Sequence, residues 1–396
     1  MPLSSNATFS PEKRLLVCCA RTRMAPSIVE EIRALVAGPL DWELLFDDAA
    51  ENSVTLLLGR QLPAAAGDTV PPAQLARLKQ VTRANAVRSL VLTAELLTVM
   101  NLFRDAGVEA IPYKGPVLAA QAYGDVALRE FEDLDIILRQ RDMANANDVI
   151  LSLGYRARFP WNFSPERASP IPGEYNYRDE PRRMMIELHT EHTLRHFPVP
   201  ANLDDLSQRL VPVSLSGHEV RTFAPEDGLP ILCIHGAKDF WERISWVADI
   251  AELIQASPQL DWDQVFLRSE SMGACRMLNL GLALAAGLMD ADIPAKILAR
   301  VANDRVATSV AAEMERRLLS RALPALDAAG RFRFRRRTVA GILAGWRYAL
   351  RLAAAPAEED WQSMRLPGPL APLYVALRPF RLLRKYGASE SRTPRG

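Results

Sequence analysis

Cysteine is scarce in this chain: four among 396 residues, two of them adjacent at Cys18 and Cys19. That density excludes a disulfide scaffold and makes a reducing cytoplasm the expected setting. No apolar signal region with a cleavage site follows the polar segment Met1–Ser10, so no secretory leader is read there. Long hydrophobic runs are missing too. The apolar segment Met277–Met289 contains Asn279 and two glycines and is far shorter than the ~20 residues of a membrane span, so it is expected to be a buried core helix. Internal repeats are absent. Hydrophobic residues at 49% and charged residues at 24% make a globular mixture, which excludes disordered, collagenous and low-complexity classes. At roughly 150 residues per domain, the length allows two or three domains.

A net charge of one sign is also lacking, but only as a sum. Lys and Arg number 48 against 47 Asp and Glu. Residues 331–396 carry 14 Lys/Arg against 4 Asp/Glu, which leaves 34 against 43 for residues 1–330. An acidic body does not hold nucleic acid by bulk electrostatics, so no stable nucleic-acid partner is expected. The basic tail interleaves Trp346, Tyr348, Leu350 and Leu352 with its arginines, and this favours docking on the body over a membrane surface or another polyanion.

Four regions follow from the change of period along the chain. Residues 1–104 read as helical: Ser10-Pro11-Glu12 starts a helix, Asp41-Trp42-Glu43 opens another, and Pro72 to Phe103 has apolar residues at helical spacing. Residues 105–222 read as a small α/β core, with strands at Val108–Tyr113, Leu134–Leu138 and Met184–His189 and helices at Pro116–Tyr123 and from Asp142 to near Gly154. The stretch Trp161–Pro181, rich in Pro, Tyr and Arg, reads as irregular. Residues 223–330 return to helix, with Ile231–Gln255 as one long amphipathic element followed by Ala274–Leu288 and Ala307–Leu319. Residues 331–396 form the basic tail.

The chemistry concentrates at Asp133-Leu134-Asp135. On a strand, residues i and i+2 face the same way, so both carboxylates project together, and convergent carboxylates are costly without a cation between them. Hard oxygen ligands suit Mg2+. Two other D-x-D matches, at 261/263 and 290/292, precede helical stretches and read as N-terminal turn acids. Glu187, on the strand Met184–His189, shares a face with His189; a neighbouring strand would bring it to the same ion, and a solvated edge strand is the alternative. Lys114-Gly115 ends a strand where a glycine lets backbone amides approach an anion, a geometry that suits a triphosphate, with a plain turn as the commoner alternative. Arg129, four residues before Asp133, offers a phosphate clamp or a solvated charge.

Other residues weigh less. His189, His192 and His196 have a spacing that suits zinc on a helix, but His189 lies on a strand and the three need not converge; it reads instead as a neighbour of the metal site. His235 and Asp239, four apart on a helix, read as structural, with the wall of a nucleotide cleft as the alternative. Cys233 reads as buried and inert. Tyr175 and Tyr177, with Arg178, Arg182 and Arg183, offer a cover for a base or acceptor, or a plain surface loop.

The ordered set Tyr113-Lys114-Gly115, Tyr123, Arg129 through Asp133-Leu134-Asp135-Ile136, then Ile186-Glu187-Leu188-His189, resembles a family of poorly characterised bacterial nucleotidyltransferases within the DNA polymerase-β-like superfamily. The likeness continues through Leu232–Lys238 with Trp246 and Asp249, and in the tail from Glu358-Glu359-Asp360-Trp361 to Tyr386. It implies an α+β fold in which a small mixed-sheet core is flanked by helical regions. It also implies a two-metal transfer of a nucleoside monophosphate from an NTP to an acceptor hydroxyl, with Mg2+ on Asp133, Asp135 and Glu187 and the nucleotide phosphates on Lys114, Gly115 and Arg129. The broader superfamily carries Gly-Ser in the phosphate turn, where this chain has Lys114-Gly115. A nucleotide-binding protein or scaffold without turnover is therefore kept as the alternative, with phosphoryl transfer as a weaker one.

Overall fold

Ser10 accepts a hydrogen bond from the Lys13 amide, and Pro11 takes the first position of helix α1 (Pro11–Cys19). Four helices follow: α2 (Pro26–Ala37), α3 (Trp42–Glu51), α4 (Thr55–Ala66) and α5 (Pro72–Asp105). The sheet region runs β1 (Ala110–Pro112), a short helix α6 (Gly115–Leu118) continued by a π turn to Tyr123, β2 (Asp133–Leu138), α7 (Met143–Ser152), β3 (Arg156–Ala157), β4 (Glu174–Asp179) and β5 (Met184–His189). Next come α8 (Leu203–Ser207) and a hairpin of β6 (Val211–Leu215) and β7 (His218–Thr222). The remaining elements are α9 (Pro225–Lys238), α10 (Ile244–Ala256), α11 (Trp262–Ser271), α12 (Cys275–Met289), α13 (Ala295–Asn303), α14 (Arg305–Leu319) and α15 (Ala328–Thr338). The structure, a computed structural model, describes residues 10–158, 174–190, 203–321, 326–339 and 341.

The five-stranded sheet has the order β1-β2-β5-β4-β3. Only β2 and β5 pair in parallel, so the sheet is mixed and the fold is α+β. Strand alternation divides it into two faces. Leu134, Ile136, Leu138, Ile186, Leu188, Tyr175 and Tyr177 fill one face and pack on Leu92, Leu96, Val99 and Phe103 of α5 and Ile150 of α7. The other face carries Asp133, Asp135, Glu187, His189, Glu174 and Asn176. Each buried leucine or isoleucine on the first face stabilises the sheet by roughly 1.5–3 kcal/mol, which offsets the cost of holding charge on the second.

The helical regions on either side of the sheet in sequence share one core. Leu15, Ile32, Leu45 and Leu58 from α1–α4 belong to the same cluster as Val247, Leu280 and Met314 from α10, α12 and α14. Among the described residues, α5 is the helix long and apolar enough to cross a bilayer; here Leu92, Leu96, Val99 and Phe103 pack with the sheet, while Val87, Leu90 and Val91 are exposed. The segment Met277–Met289 lies within α12 and is mostly buried, as expected.

Several elements differ from the sequence reading. Ile231–Gln255 is not one helix: α9 ends at Lys238 and α10 begins at Ile244, and Phe240 and Trp241 between them have φ of 61° and 51°. The reversal turns the Trp241 ring inward, where it is 1% exposed and so close to Gly236 that a Cβ there would stand 2.6 Å from the ring. Trp161–Pro181 is not irregular throughout, because Glu174–Asp179 is strand β4, with Tyr175 and Tyr177 buried. Those tyrosines are core, not a cover for a ligand. Asp261 caps α11 by accepting from the amides of Asp263 and Gln264, as read. Asp290 does not start a helix; it ends α12 with φ 52° and faces Arg21 at 3.4 Å. In the basic tail, Phe334 of α15 is buried against Phe240, ring centroids 5.5 Å apart, and Arg337 pairs with Glu313 at 2.8 Å. His192, His196, Trp346, Tyr348, Leu350, Leu352 and the segment Glu358–Tyr386 lie outside the described residues.

Candidate active site

β2 and β5 run side by side in register, so Asp135 pairs with Glu187 and Ile137 with His189. The pleat sends Asp133, Asp135, Glu187 and His189 to the same face. One ligand atom each from Asp135, Glu187 and His189 falls within 4.8 Å of the others. Asp133 lies one pleat farther along β2, outside that group of three. His189 Nε2 is 3.1 Å from Asp135 Oδ1 and 3.6 Å from Glu187 Oε2, and its ring meets Tyr113 edge-on at 5.6 Å.

The turn after β1 supplies the cation side. Gly115 has φ 51°, and a Cβ there would come within 3.3 Å of the Asp133 carbonyl oxygen. Glycine thus allows the turn to fold down onto β2. Lys114, the residue before it, donates from Nζ to Asp135 Oδ1 at 2.7 Å. Arg129 lies on the same cavity wall, but its guanidinium is committed: Nε and Nη2 donate to the two oxygens of Asp249 at 2.7 and 2.9 Å. Tyr123 donates to Asp249 as well, at 2.7 Å. The expected phosphate clamp is thus half of a buried bidentate ion pair.

Charge on this face is unevenly compensated. Burial alone would raise the Asp135 carboxyl, yet Lys114 and His189 hold it well below the usual carboxylate range. Burial alone would lower Lys114, and Asp135 beside it pushes the ammonium well above its ordinary value. Asp133 is raised by burial and by Asp135. Glu187 is pushed up to about 8, first by burial and then by Asp135, Glu174 and Asp133. One carboxylate is well compensated, and the other two are raised by burial and by their acidic neighbours, the condition a bound cation relieves. The donor set of two or three carboxylates and an imidazole fits a divalent ion.

A cavity of about 510 Å³ opens over this face. Lys114, Gly115, Arg129, Asp133 and Asp135 line it on one side, with His235, Asp239 and Trp246 from α9, its end and α10 among the other lining residues. Glu187 and His189 are not among the lining residues; they stand beside Asp135. The structure therefore brings the six predicted site residues to one end of the sheet, five of them at the cavity surface. His235 belongs to that surface rather than to a closed core, with Nδ1 3.4 Å from Asp239 Oδ2 and its ring 5.3 Å from Trp246. Burial, then Lys114 and Lys238, lowers its pKa well below the usual histidine value. Lys238 ties α9 to the sheet through Glu174 at 3.2 Å. Arg88 of α5 and Arg243 also line the cavity. Arg88 is one of four arginines on α5 and Arg243 stands in the break before α10; neither belongs to a motif, and the sequence gave no signal for them.

Set beside known proteins, the chain matches no curated protein. A solution structure of the antibiotic-resistance factor ANT(2'')-Ia aligns with 12% identity and a TM-score of 0.33, covering 46% of this chain and 91% of that one. Residues 38–290, well over half of the sequence and including every residue of the site, match the uncharacterised nucleotidyltransferase family, and the chain belongs to that family.

Proposed function

We propose that the protein transfers a nucleoside monophosphate from a nucleoside triphosphate to a hydroxyl of an acceptor, in a magnesium-dependent reaction that releases pyrophosphate. The observation that carries this reading is the in-register pair Asp135 and Glu187, with Asp133 on the same face, beside the Lys114-Gly115 turn under one cavity. Family membership supports nucleotidyl transfer as the class of reaction. The cavity's volume falls in the range of small-molecule sites.

Asp133, Asp135 and Glu187 would hold Mg2+, which when bound neutralises the triphosphate and acidifies the acceptor hydroxyl. The bond formed joins the acceptor oxygen to the α-phosphorus, and the bond broken joins that phosphorus to the oxygen leaving with pyrophosphate. Glu187 is the carboxylate proposed to take the hydroxyl proton. The Gly115 turn lets backbone approach the phosphates, and Lys114 offers a point charge to them. Arg129 acts indirectly, by fixing the segment that leads into β2 against α10 through Asp249. The four cysteines are all free, in keeping with the cytoplasm as the proposed location.

Incubation with Mg2+ and each NTP in turn, labelled at the α-phosphorus, against a panel of sugars, aminoglycosides, peptides and proteins tests the reading. Label transfer with equimolar pyrophosphate is expected, and a product that gains a single phosphate instead would assign phosphoryl transfer. A second reading, nucleotide binding without turnover, draws on Lys114 standing where the superfamily has glycine. Calorimetric binding of Mg2+–NTP with no product across the panel would favour it.

A further inference from the structure

We propose that Lys114 is a resident counter-cation of the carboxylate cluster, displaced when a divalent ion binds and thereby released to the triphosphate. This rests on the metal site proposed above. The carboxylate oxygen at issue is Asp135 Oδ1, which faces Lys114 Nζ at 2.7 Å and His189 Nε2 at 3.1 Å. The two side chains of the ion pair are only 2% (Asp135) and 12% (Lys114) exposed. A carboxylate sealed away from water requires a compensating charge, and the ammonium supplies it.

Asp135 is also the residue common to the D-x-D pair and to the three-residue ligand group with Glu187 and His189. An ammonium and a divalent ion in contact with one carboxylate repel each other strongly in so dry a setting. Occupancy by the ion and the Lys114–Asp135 contact therefore exclude one another. The lysine backbone is held by the turn, packed against β2 through Gly115, so only its flexible stem is free to move. Nζ already lies 5.3 Å from the Tyr113 ring centroid, and Lys114 is among the residues that line the cavity. On leaving Asp135 it remains at the cavity wall, where an anion is its natural partner. Metal and triphosphate would then bind cooperatively, because each takes over a charge that the other sets free.

Titration of Mn2+ alone into the full-length protein, followed by electron paramagnetic resonance, reads the competition directly. The Lys114→Met variant should bind Mn2+ at least tenfold more tightly than wild type, and the gain in Mn2+ affinity brought by ATP should shrink by a similar factor. Equal or weaker Mn2+ binding by a folded Lys114→Met protein overturns the exchange while leaving the metal site intact. Absence of Mn2+ binding in both proteins overturns the metal site itself, and the exchange with it. If Lys114→Met does not fold, amine acetylation of wild type followed by mass spectrometry decides: Mn2+ should expose Lys114 to the reagent relative to Lys13 and Lys296, and ATP should protect it again. Unchanged labelling would refute the displacement.

Discussion

Around the site, single residues are held by partners far away in the chain. Arg129 and Asp249 form a buried pair, 10% and 2% exposed, separated by 120 residues. Spacing made Arg129 look like a phosphate clamp because Asp133 is four residues on; no short-range pattern points to Asp249. Truncating one partner leaves a buried charge uncompensated, so Arg129→Ala should lower stability by about 3–5 kcal/mol in denaturant unfolding. A loss under about 1 kcal/mol would show that the pair is dispensable and return Arg129 to a ligand-binding role. His235 gives a pH signature. Its folded pKa is depressed, by burial first and then by Lys114 and Lys238, so the folded protein keeps the ring neutral while the unfolded chain protonates below about 6.5. Stability from this residue is present above that pH and lost as pH falls, by about 1 kcal/mol between pH 7 and 5.5. His235→Gln should remove that increment, and parallel pH–stability curves for the two proteins would contradict it.

At the scale of elements, β2 and β5 were legible because Asp133-Leu134-Asp135-Ile136 and Ile186-Glu187-Leu188-His189 each alternate polar and apolar residues beside a short apolar run, a period no helix shares. The parallel pairing of these two strands, which turns two acidic segments into one cluster, required the whole sheet. β4 was missed although Tyr175 and Tyr177 alternate with polar neighbours; the Pro- and Arg-rich surroundings masked six residues of pattern. The break between α9 and α10, Asp239-Phe240-Trp241-Glu242-Arg243, mixes charged and apolar residues as an amphipathic helix does and contains neither proline nor glycine. What marks it is Gly236, five residues before Trp241, which gives the indole room. Gly236→Ala would drive a methyl into a ring that is 1% exposed, at 2.6 Å. Overpacking of this kind costs about 1–3 kcal/mol, measurable as a fall in Tm. An unchanged Tm would mean that the ring has space to yield. Because the same break sets His235 and Trp246 against the cavity, nucleotide affinity should fall in this variant as well.

At the scale of the molecule, the near-zero net charge joins an acidic body to a basic tail, and the first turns of that tail already sit on the body through Phe334 and Arg337. Deletion of residues 331–396 should lower Tm by several degrees and strip the cover from Phe240; an unchanged Tm would refute docking of the tail on the body. The helical lobes at both ends of the sequence share a core, so the sheet and its carboxylate face are held between segments that fold together. The claim on which the rest depends is that this face binds a metal–nucleotide complex. Calorimetric titration with a non-hydrolysable α,β-methylene NTP, in Mg2+ and then in EDTA, on wild type and on Asp133→Asn and Asp135→Asn proteins, tests it without knowledge of the acceptor. The account predicts binding in Mg2+ that weakens at least tenfold in EDTA and in both variants. Affinity unaltered by EDTA and by both substitutions would contradict it.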